Sequence, residues 1–410
     1  MKNEYIKRLI HNDIEKIGLD NHKMVFLSGP RQAGKTTLAK ELLKQKSNYF
    51  NWDAPQFRKQ WSKDPLQFGN EILSTRDNLR IVLDELHKQK KWRNSLKGFY
   101  DHFKDQIEII VTGSAKLNTY QKGSDSLLGR FFHMHVLPFT LGEISGNKNK
   151  SYSDFSDFIQ DPELNSKSLY EEIRKDLFQY SGFPEPFLKQ DKSFQNLWQK
   201  NRNELLIRQD VRDLSATISI HQIEILADML PEKVGAPLSL QSLVEDLEGA
   251  YNSIKKWMGE LEKVYYHFEI RPFVGSIARS LKKEKKIYLY DWTQVQEESF
   301  RFENMVALHL LKLVHYYNDT GQGNLNLWYL RNKEKQEVDF CVTHKLKPLF
   351  TVEVKLNDTQ IDTTYKNFQK YTKSPHFQII NKSNYLRKYK NENHLPPAYV
   401  MGFSDFFRWV

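Results

Sequence analysis

Patterns typical of buried strands alternate with helical patterns through the first 147 residues of the chain. Five short apolar runs predict strands, at 24–27, 49–52, 80–83, 107–111 and 133–137. Because these runs do not alternate with polar residues, we expect a parallel sheet whose two faces are both covered by helices. Apolar residues at helical spacing predict an opening helix with one face formed by Ile6, Leu9, Ile10, Ile14 and Ile17.

The pattern changes three times in the rest of the chain. A polar stretch at 146–153 predicts a linker, and the helical sequence that follows is interrupted at 182–186. Short helical patterns and two strand-like runs occupy 221–290, and a helix near Asn304 leads into β-rich sequence. These changes predict four segments, at 1–147, 148–215, 216–292 and 293–410.

The composition limits the class of protein. The 410 residues include 61 Lys and Arg against 51 Asp and Glu, for a formal net charge of +10 at pH 7. The single cysteine, Cys341, excludes an intramolecular disulfide framework and a cysteine-rich zinc module. No apolar run approaches the roughly 20 residues that span a bilayer, and the first residues lack the apolar core of a signal peptide. We therefore expect a cytoplasmic protein without membrane contact, and the positive charge favours a polyanionic partner.

A phosphate-binding loop follows the first predicted strand. Residues 29–36 are Gly-Pro-Arg-Gln-Ala-Gly-Lys-Thr, which fits G-x-x-x-x-G-K-[ST] between a strand and a helix. The glycines let backbone N–H groups surround phosphate oxygens, Lys35 can bridge the β- and γ-phosphates of ATP, and the Thr36 hydroxyl can bind Mg²⁺. The predicted nucleotide-binding residues are Gly29, Pro30, Arg31, Gln32, Ala33, Gly34, Lys35, Thr36 and Thr37.

Two acidic residues end the third predicted strand. Asp84 is predicted to hold Mg²⁺ with Thr36, and Glu85 to orient or deprotonate the attacking water. Adjacent carboxylates favour a hydrolase over a protein that only binds nucleotide. Ser114, after the next strand, is a candidate sensor of the γ-phosphate. Arg130 is a candidate for neutralising charge on the transferred phosphoryl group, and the alternative is an ordinary surface arginine. The predicted catalytic residues are thus Glu85, Lys35, Arg130 and Ser114.

These motifs together resemble a prokaryotic family of AAA-type P-loop ATPases. The resemblance rests on 29–37, on Leu-Asp-Glu at 83–85, on Thr-Gly-Ser at 112–114, on Gly-Arg at 129–130 and on Leu-Pro-Phe-Thr at 137–140. It covers nearly the whole chain, including 182–186, 286–291 and the acidic motif near Asp339. It implies the sheet order 5-1-4-3-2, in which the strand of Asp84 is not adjacent to the P-loop strand. It also implies a C-terminal domain of unassigned function that is similar to restriction endonucleases.

The segment 216–292 has the pattern of a winged helix-turn-helix. A short helix follows Ser239, and a second helix after Gly249 has an apolar face that includes Trp257. Lys255 and Lys256 point away from this face, and a basic stretch at 282–286 lies between two strand-like runs. If the module binds DNA, the second helix enters a major groove and the lysines contact phosphates. The alternative is a small packing module that only connects its neighbours.

The C-terminal segment carries the pattern Asp…Glu-x-Lys. Glu353 and Lys355 are two residues apart on a predicted strand and so point to one face. Asp339 lies on the partner strand of the predicted hairpin, and Glu303 on a preceding helix could add a carboxylate. In nuclease folds such acids bind Mg²⁺ and the lysine assists the attack of water. The alternative is a catalytically inactive fold, and Val338 replaces the proline that usually precedes the Asp.

The fold prediction is therefore an α/β protein with a parallel-sheet P-loop (AAA-type) ATPase domain. A helical lid or linker, a winged helix-turn-helix and a restriction-endonuclease-like C-terminal α/β domain follow it, within the boundaries given above. The predicted function is Mg²⁺-dependent ATP hydrolysis coupled to a DNA-contacting, nuclease-like C-terminal domain.

Two alternatives to this function stay open. One is a signalling or regulatory ATPase whose inactive C-terminal domain binds a protein partner, and the other is a nucleotide switch that does not hydrolyse ATP. The predicted cofactors are ATP and Mg²⁺. The candidate partners are ATP, DNA, a second copy of the chain and another protein.

Overall fold

The structure of the protein is a computed structural model. It describes residues 5–43, 45–74, 79–113, 127–146, 151–164, 167–214, 219–273, 283–390 and 394–410. The chain divides into two compact units. Lys7–Pro138 forms the P-loop unit, and Met1–Ile6 with Phe139–Val410 forms the C-terminal unit.

The P-loop unit is built on a parallel sheet of five strands. The strands are β1 (Met24–Ser28), β2 (Tyr49–Asn51), β3 (Leu79–Asp84), β4 (Ile107–Thr112) and β5 (Phe131–His135). Their order is β2-β3-β4-β1-β5 and every pairing is parallel, which confirms the order that the resemblance implies. β5 begins and ends two residues earlier than predicted, because Phe131 already pairs with Met24 at the start of β1.

In the described part of the P-loop unit, four helices accompany this sheet. They are α1 (Lys35–Glu41), α2 (Pro55–Lys63), α3 (Pro65–Leu73) and α4 (Trp92–Phe103). Asp64 separates α2 from α3, and its side chain accepts hydrogen bonds from the backbone N–H groups of Leu66 and Gln67 at the start of α3. Aromatic rings of α2, α3 and α4 pack together, with Trp61 fully buried between Phe68 and Phe99. This core supports the strands that carry the site.

The opening helix is shorter than the apolar spacing predicts. Helical structure begins near His11 rather than at Ile6, as a turn at His11–Asp13, a π-helix at Ile14–Gly18 and a 3₁₀ turn at Leu19–Asn21. A Cβ on Gly18 would lie 2.2 Å from Cγ2 of Val25. The close approach to β1 therefore depends on this glycine.

The C-terminal unit begins with helices. They are α5 (Leu141–Ile144), α6 (Tyr152–Gln160), α7 (Ser168–Tyr180), α8 (Pro184–Lys189), α9 (Lys192–Leu205) with its π-helical continuation (Leu206–Val211) and a short turn (Arg212–Leu214), and α10 (Ile220–Met229). The predicted interruption separates α7 from α8. Pro184 begins α8, a position where the missing N–H of proline has no helical partner to lose.

Two helices and a β-ribbon follow α10. They are α11 (Leu240–Leu247) and α12 (Tyr251–Lys263), with strands β6 (Pro237–Leu238), β7 (His267–Pro272) and β8 (Lys285–Leu289). β8 pairs antiparallel with both β6 and β7. The predicted apolar face of α12 is confirmed, since Ile254, Trp257, Met258 and Leu261 are all buried.

A long helix and a mixed sheet complete the chain. The elements are α13 (Glu298–Asp319), β9 (Leu325–Arg331), β10 (Glu337–His344), β11 (Lys347–Lys355), α14 (Tyr365–Thr372), β12 (His376–Ile380), β13 (Leu386–Tyr389), β14 (Ala398–Gly402) and α15 (Phe403–Phe406). Short 3₁₀ turns lie at Lys46–Asn48, Leu86–Lys88, Leu230–Lys233, Trp292–Gln294 and Phe407–Trp409. The predicted hairpin is present, with β10 antiparallel to β11.

The strands of the C-terminal unit form one sheet. Its order is β13-β14-β12-β11-β10-β9-β7-β8-β6. β7 and β9 pair in parallel at Arg271–Trp328 and Pro272–Tyr329, which joins the ribbon to the C-terminal strands. The sheet is mixed, since β11, β12 and β14 are parallel while β9, β10 and β11 are antiparallel. The restriction-endonuclease-like architecture stays a prediction.

Candidate functional site

The P-loop begins directly after β1 and depends on two glycines. Gly29 has a φ of 150°, and a Cβ on it would lie 2.1 Å from the carbonyl oxygen of Val136. Gly34 has a φ of 91° and directly precedes α1. Because glycine adopts such angles without steric cost, the loop can turn tightly at the carboxyl end of β1.

Lys35 is folded back on this loop. Its side chain is buried, and Nζ donates hydrogen bonds to the carbonyl oxygens of Gly29 (2.9 Å) and Pro30 (2.7 Å). A phosphate group in the loop would therefore compete with two carbonyl oxygens for this ammonium group. Arg8 also contacts the loop, because its guanidinium group donates a hydrogen bond to the carbonyl oxygen of Ala33 at 3.4 Å. The sequence analysis did not identify this residue.

Asp84 accepts hydrogen bonds from three hydroxyl groups. Thr36 Oγ1 lies 3.1 Å from Oδ2, Tyr49 also donates to Oδ2, and Thr112 donates to Oδ1. These donors come from α1, β2 and β4, so the carboxylate is held from three elements. Sequence reasoning missed the role of Tyr49, because only the position of β2 beside β3 brings it to Asp84.

The pair of Thr36 and Asp84 fits a Mg²⁺ site in its chemistry. Mg²⁺ takes oxygen ligands, and proteins commonly supply one or two of them beside substrate phosphates. A hydroxyl and a carboxylate oxygen 3.1 Å apart at the P-loop are such a set. The predicted metal residues are therefore neighbours in space.

Glu85 has the environment of a general base. Its φ of 59° is a left-handed conformation, which turns the chain directly after β3. Burial first, and then the negative charge of Asp84, raise the pKa of the Glu85 carboxyl from 4.5 to about 7. His87 Nε2 and Lys88 Nζ lie 3.3 Å and 3.8 Å from Oε2 of Glu85. A carboxyl group with a pKa near 7 can accept a proton from water at neutral pH.

The other two predicted catalytic residues are not placed at this site. Ser114 lies outside the described residues. The carbonyl oxygen of Arg130 accepts a hydrogen bond from the N–H of Met24, at the amino end of β1. The P-loop lies at the carboxyl end, roughly 16 Å away at about 3.3 Å per residue. The Arg130 guanidinium pairs with Asp101 at 2.6 Å and 3.0 Å, which contradicts a role at the P-loop of its own chain.

A second group of charged residues lies in the C-terminal unit. Glu303 of α13, Glu337 and Asp339 of β10 and Glu353 of β11 form the carboxylate cluster. Lys286 of β8 reaches into it, with Nζ 3.3 Å from Glu337, 3.3 Å from Asp339 and 3.7 Å from Glu303. The structure thus brings the predicted acids to one place and adds a lysine that the prediction did not include.

The remaining predicted residue of this group, Lys355, lies beside the cluster. Its Nζ is 2.8 Å from Oε1 of Glu353, as expected for two residues on one strand face. Asp339 Oδ2 accepts the backbone N–H of Val354 at 2.9 Å. Burial first, and then the charge of Asp339, raise the pKa values of both Glu303 and Glu353 to about 8. The carboxyl groups of Glu303 and Glu353 therefore hold protons more tightly than free acids do.

The position of Lys286 corrects one interpretation of the sequence. The basic stretch 282–286 is predicted to contact DNA phosphates, but Lys286 is 2% exposed and paired with carboxylates. Lys285 pairs with Glu269, and Lys282 lies outside the described residues. The signal that could have identified Lys286 is its place in a buried strand, where a lysine needs a charged partner.

The carboxylate cluster does not fit a divalent metal ion as it stands. In the described part of the chain, no three of its acids bring one oxygen each within 4.8 Å of one another. Mg²⁺ and Ca²⁺ need several oxygens at about 2.0–2.6 Å from one point. The Lys286 ammonium group lies between Glu303 and Asp339, where a metal ion bound by these two acids would lie.

The surface of α12 bears the two lysines that the DNA hypothesis names. Lys255 and Lys256 are exposed, while Ile254 and Trp257 beside them are buried. These lysines are therefore accessible to a partner. Among the described helices, none combines the length and the apolar character needed to cross a membrane.

Several solved structures show a distant likeness. The ORC1 protein of Aeropyrum pernix, solved in complex with DNA, is 13% identical over 75% of this chain and 97% of its own, with a TM-score of 0.32. AMPPCP-bound DnaA from Aquifex aeolicus is 13% identical over 62% and 86%, with a TM-score of 0.30. PCH-2 of C. elegans is 14% identical over 63% and 66%, with a TM-score of 0.23. These scores are too low to carry an argument about function.

Three family models match successive parts of the chain. Residues 171–293 and 299–398 match two domains of unknown function, DUF8612 and DUF4143. No curated protein matches the sequence. Residues 21–145 match an AAA domain, and they contain the P-loop, Asp84 and all five strands of the parallel sheet. Through this segment the chain is similar to the AAA-type P-loop ATPases.

Proposed function

We propose that the P-loop unit binds ATP with Mg²⁺ and hydrolyses it. The observation that carries this proposal is the 3.1 Å hydrogen bond between Thr36 and Asp84, which joins the P-loop to the acidic end of β3. Lys35 lies on the same loop, and Glu85 follows Asp84 directly. The AAA-domain match of residues 21–145 supports the same conclusion.

Each side chain has a separate part in this reaction. Lys35 exchanges the carbonyl oxygens of Gly29 and Pro30 for phosphate oxygens and stabilises negative charge that develops there. Thr36 and Asp84 hold the metal ion, which neutralises phosphate charge when it is bound. Glu85 accepts a proton from the attacking water, because its raised pKa makes it a stronger base than an exposed glutamate.

Two substitutions separate binding from hydrolysis. Lys35→Ala should abolish productive ATP binding, because it removes the ammonium group that the loop aims at the phosphates. Glu85→Gln should retain ATP and Mg²⁺ binding and lose hydrolysis, since Asp84 is unchanged. The measurements are nucleotide affinity by titration and phosphate release, with Lys63→Ala as the matched control, because Lys63 is an exposed lysine of α2. Equal losses of affinity in both variants would contradict this division of roles.

We also propose that α12 contacts DNA through Lys255 and Lys256. The exposure of both side chains and the net charge of +10 support the proposal. The order of two helices followed by a β-ribbon is that of a winged helix-turn-helix, which places its second helix in a major groove. The alternative, a connector without DNA contact, predicts no binding even at low salt.

A second candidate function is a regulatory ATPase whose C-terminal segment binds a protein partner and does not cleave nucleic acid. The observation that favours it is Lys286, because its ammonium group lies among the carboxylates that a metal-dependent nuclease would use. Phosphate release with and without DNA separates the candidates. Stimulation by DNA favours the DNA-coupled enzyme, indifference to DNA favours the regulatory ATPase, and absence of turnover favours a nucleotide switch.

A further inference from the structure

Lys286 occupies the centre of the carboxylate cluster. Its Nζ lies within 3.3–3.7 Å of carboxylate oxygens from Glu303, Glu337 and Asp339. These acids come from α13 and β10, whereas the lysine comes from β8. One ammonium group therefore forms ion pairs with carboxylates that lie far apart in the sequence.

Several carboxylate oxygens of the cluster also have partners other than Lys286. The Tyr288 hydroxyl donates to Glu303 Oε1 at 2.7 Å, and the backbone N–H of Val354 donates to Asp339 Oδ2 at 2.9 Å. Lys355 Nζ donates to Glu353 Oε1 at 2.8 Å. A buried carboxylate is stable when such bonds satisfy its oxygens. Each of the four acids is thus bound by at least one protein group.

The backbone around Lys286 fixes its position. β8 lies between β7 and β6, and Lys286 is aligned with Ile270 on one side and Pro237 on the other. The side chain is 2% exposed, and its Nζ is 5.6 Å from the centre of the Tyr329 ring. Moving the ammonium group out of the cluster would remove a positive charge from beside Glu303, Glu337 and Asp339.

We propose that Lys286 is the resident cation of the carboxylate cluster and that the C-terminal unit therefore holds no divalent metal ion there. A divalent ion and the ammonium group would repel each other across the same carboxylates, and one excludes the other. This inference concerns a different part of the chain from the proposed ATPase site and does not rest on it.

The test measures Mn²⁺ bound to the full chain without nucleotide, by electron paramagnetic resonance. Five proteins are compared: the natural sequence, Asp339→Asn, Lys286→Met, Lys285→Met and the double variant with both Lys286→Met and Asp339→Asn. Lys285 is the matched control, because it is the preceding residue of the same strand and pairs with Glu269 outside the cluster. Any Mn²⁺ held by the P-loop unit is common to all five proteins and cancels in the comparison.

We expect Asp339→Asn and Lys285→Met to bind the same amount of Mn²⁺ as the natural chain. Lys286→Met should bind one more ion per chain, and a second substitution, Asp339→Asn, should remove that ion again. The proposal is overturned if Asp339→Asn alone lowers the bound Mn²⁺ by one ion per chain. It is also overturned if folded Lys286→Met gains no ion, because the lysine would then not be what excludes the metal.

Circular dichroism and thermal unfolding establish that each variant is folded. If Lys286→Met does not fold, Lys286→Gln replaces it, since glutamine keeps hydrogen-bonding atoms in the strand and removes the charge. If neither variant folds, the comparison of the natural chain with Asp339→Asn decides. Equal Mn²⁺ in those two proteins supports the proposal, and a difference of one ion overturns it.

Discussion

Replacing Glu85 by Gln should stabilise the nucleotide-free P-loop unit above neutral pH while it removes hydrolysis. Burial and the charge of Asp84 raise the pKa of the Glu85 carboxyl from 4.5 to about 7, so the folded chain holds this proton more tightly than the unfolded chain. The stabilisation that this proton provides is complete below pH 4.5 and is lost as the pH rises through 7. Glutamine resembles the protonated acid at every pH and avoids that loss.

The magnitude follows from the two pKa values. The difference between about 7 and 4.5, at about 1.36 kcal/mol for each pKa unit, corresponds to about 3 kcal/mol at pH 8. By the same relation only about 1 kcal/mol is lost at pH 5. The ion pair with Lys88 at 3.8 Å is already contained in this difference, because the Lys88 charge lowers the pKa of Glu85. We therefore expect a gain of about 3 kcal/mol at pH 8 and of about 1 kcal/mol at pH 5.

The assay is thermal unfolding of the nucleotide-free chain at pH 5 and pH 8. For a unit of about 130 residues, a gain of about 3 kcal/mol at pH 8 corresponds to a rise in Tm of about 10–15 °C. Glu71→Gln is the control, because Glu71 is an exposed acid on α3 of the same unit. A variant with an unchanged or lower Tm at pH 8, or with the same rise at both pH values, would refute this account of Glu85.

Three further predictions concern the other charged and polar groups. Tyr49→Phe removes one of the hydroxyls that hold Asp84, and we expect kcat to fall about tenfold with little change in ATP affinity; a loss confined to affinity would contradict this role. Arg130→Ala should lower turnover on the order of 10³ if Arg130 serves a neighbouring chain, and mixing with Glu85→Gln protein should restore part of it; unchanged turnover would leave Arg130 as a surface partner of Asp101. Neutralising Lys255 and Lys256 should flatten the log–log salt dependence of DNA binding by about 1.8, at roughly 0.9 per phosphate contact; an unchanged slope would exclude both lysines from the contact.

The parts of the site that lie close together in the sequence could be predicted from it. The P-loop needs glycines, a lysine and a threonine at fixed spacing between a strand and a helix, and the structure has this arrangement around Gly29 and Lys35. Asp84 and Glu85 are equally local, because they end one strand. The order of the five strands is confirmed, but it came from the family resemblance, since no local pattern encodes which strands pair.

Two contacts between residues that are distant in the sequence could not be predicted. Tyr49 is 35 positions from Asp84, and nothing in its own surroundings marks it as a partner. Lys286 is 53 positions from Asp339, and its neighbours Lys283 and Lys285 suggested a solvent-exposed basic stretch. The role of a charged residue on a strand is clear only when the neighbouring strands are known. The pairing register of β8 therefore identifies the role of Lys286, which the composition of the basic stretch does not.

The backbone pairing of β7 with β9 determines how this chain can be divided or recombined. A fragment that starts after Gln294 would keep β9 to β14 but lose the strand that covers one edge of β9. An open edge of this kind pairs readily with other chains, so we expect such a fragment to aggregate. It would also contain Glu303 and Asp339 without their lysine. When segments are exchanged between related chains, the ribbon and the C-terminal strands must therefore stay together. The exchanged segment should begin before β6.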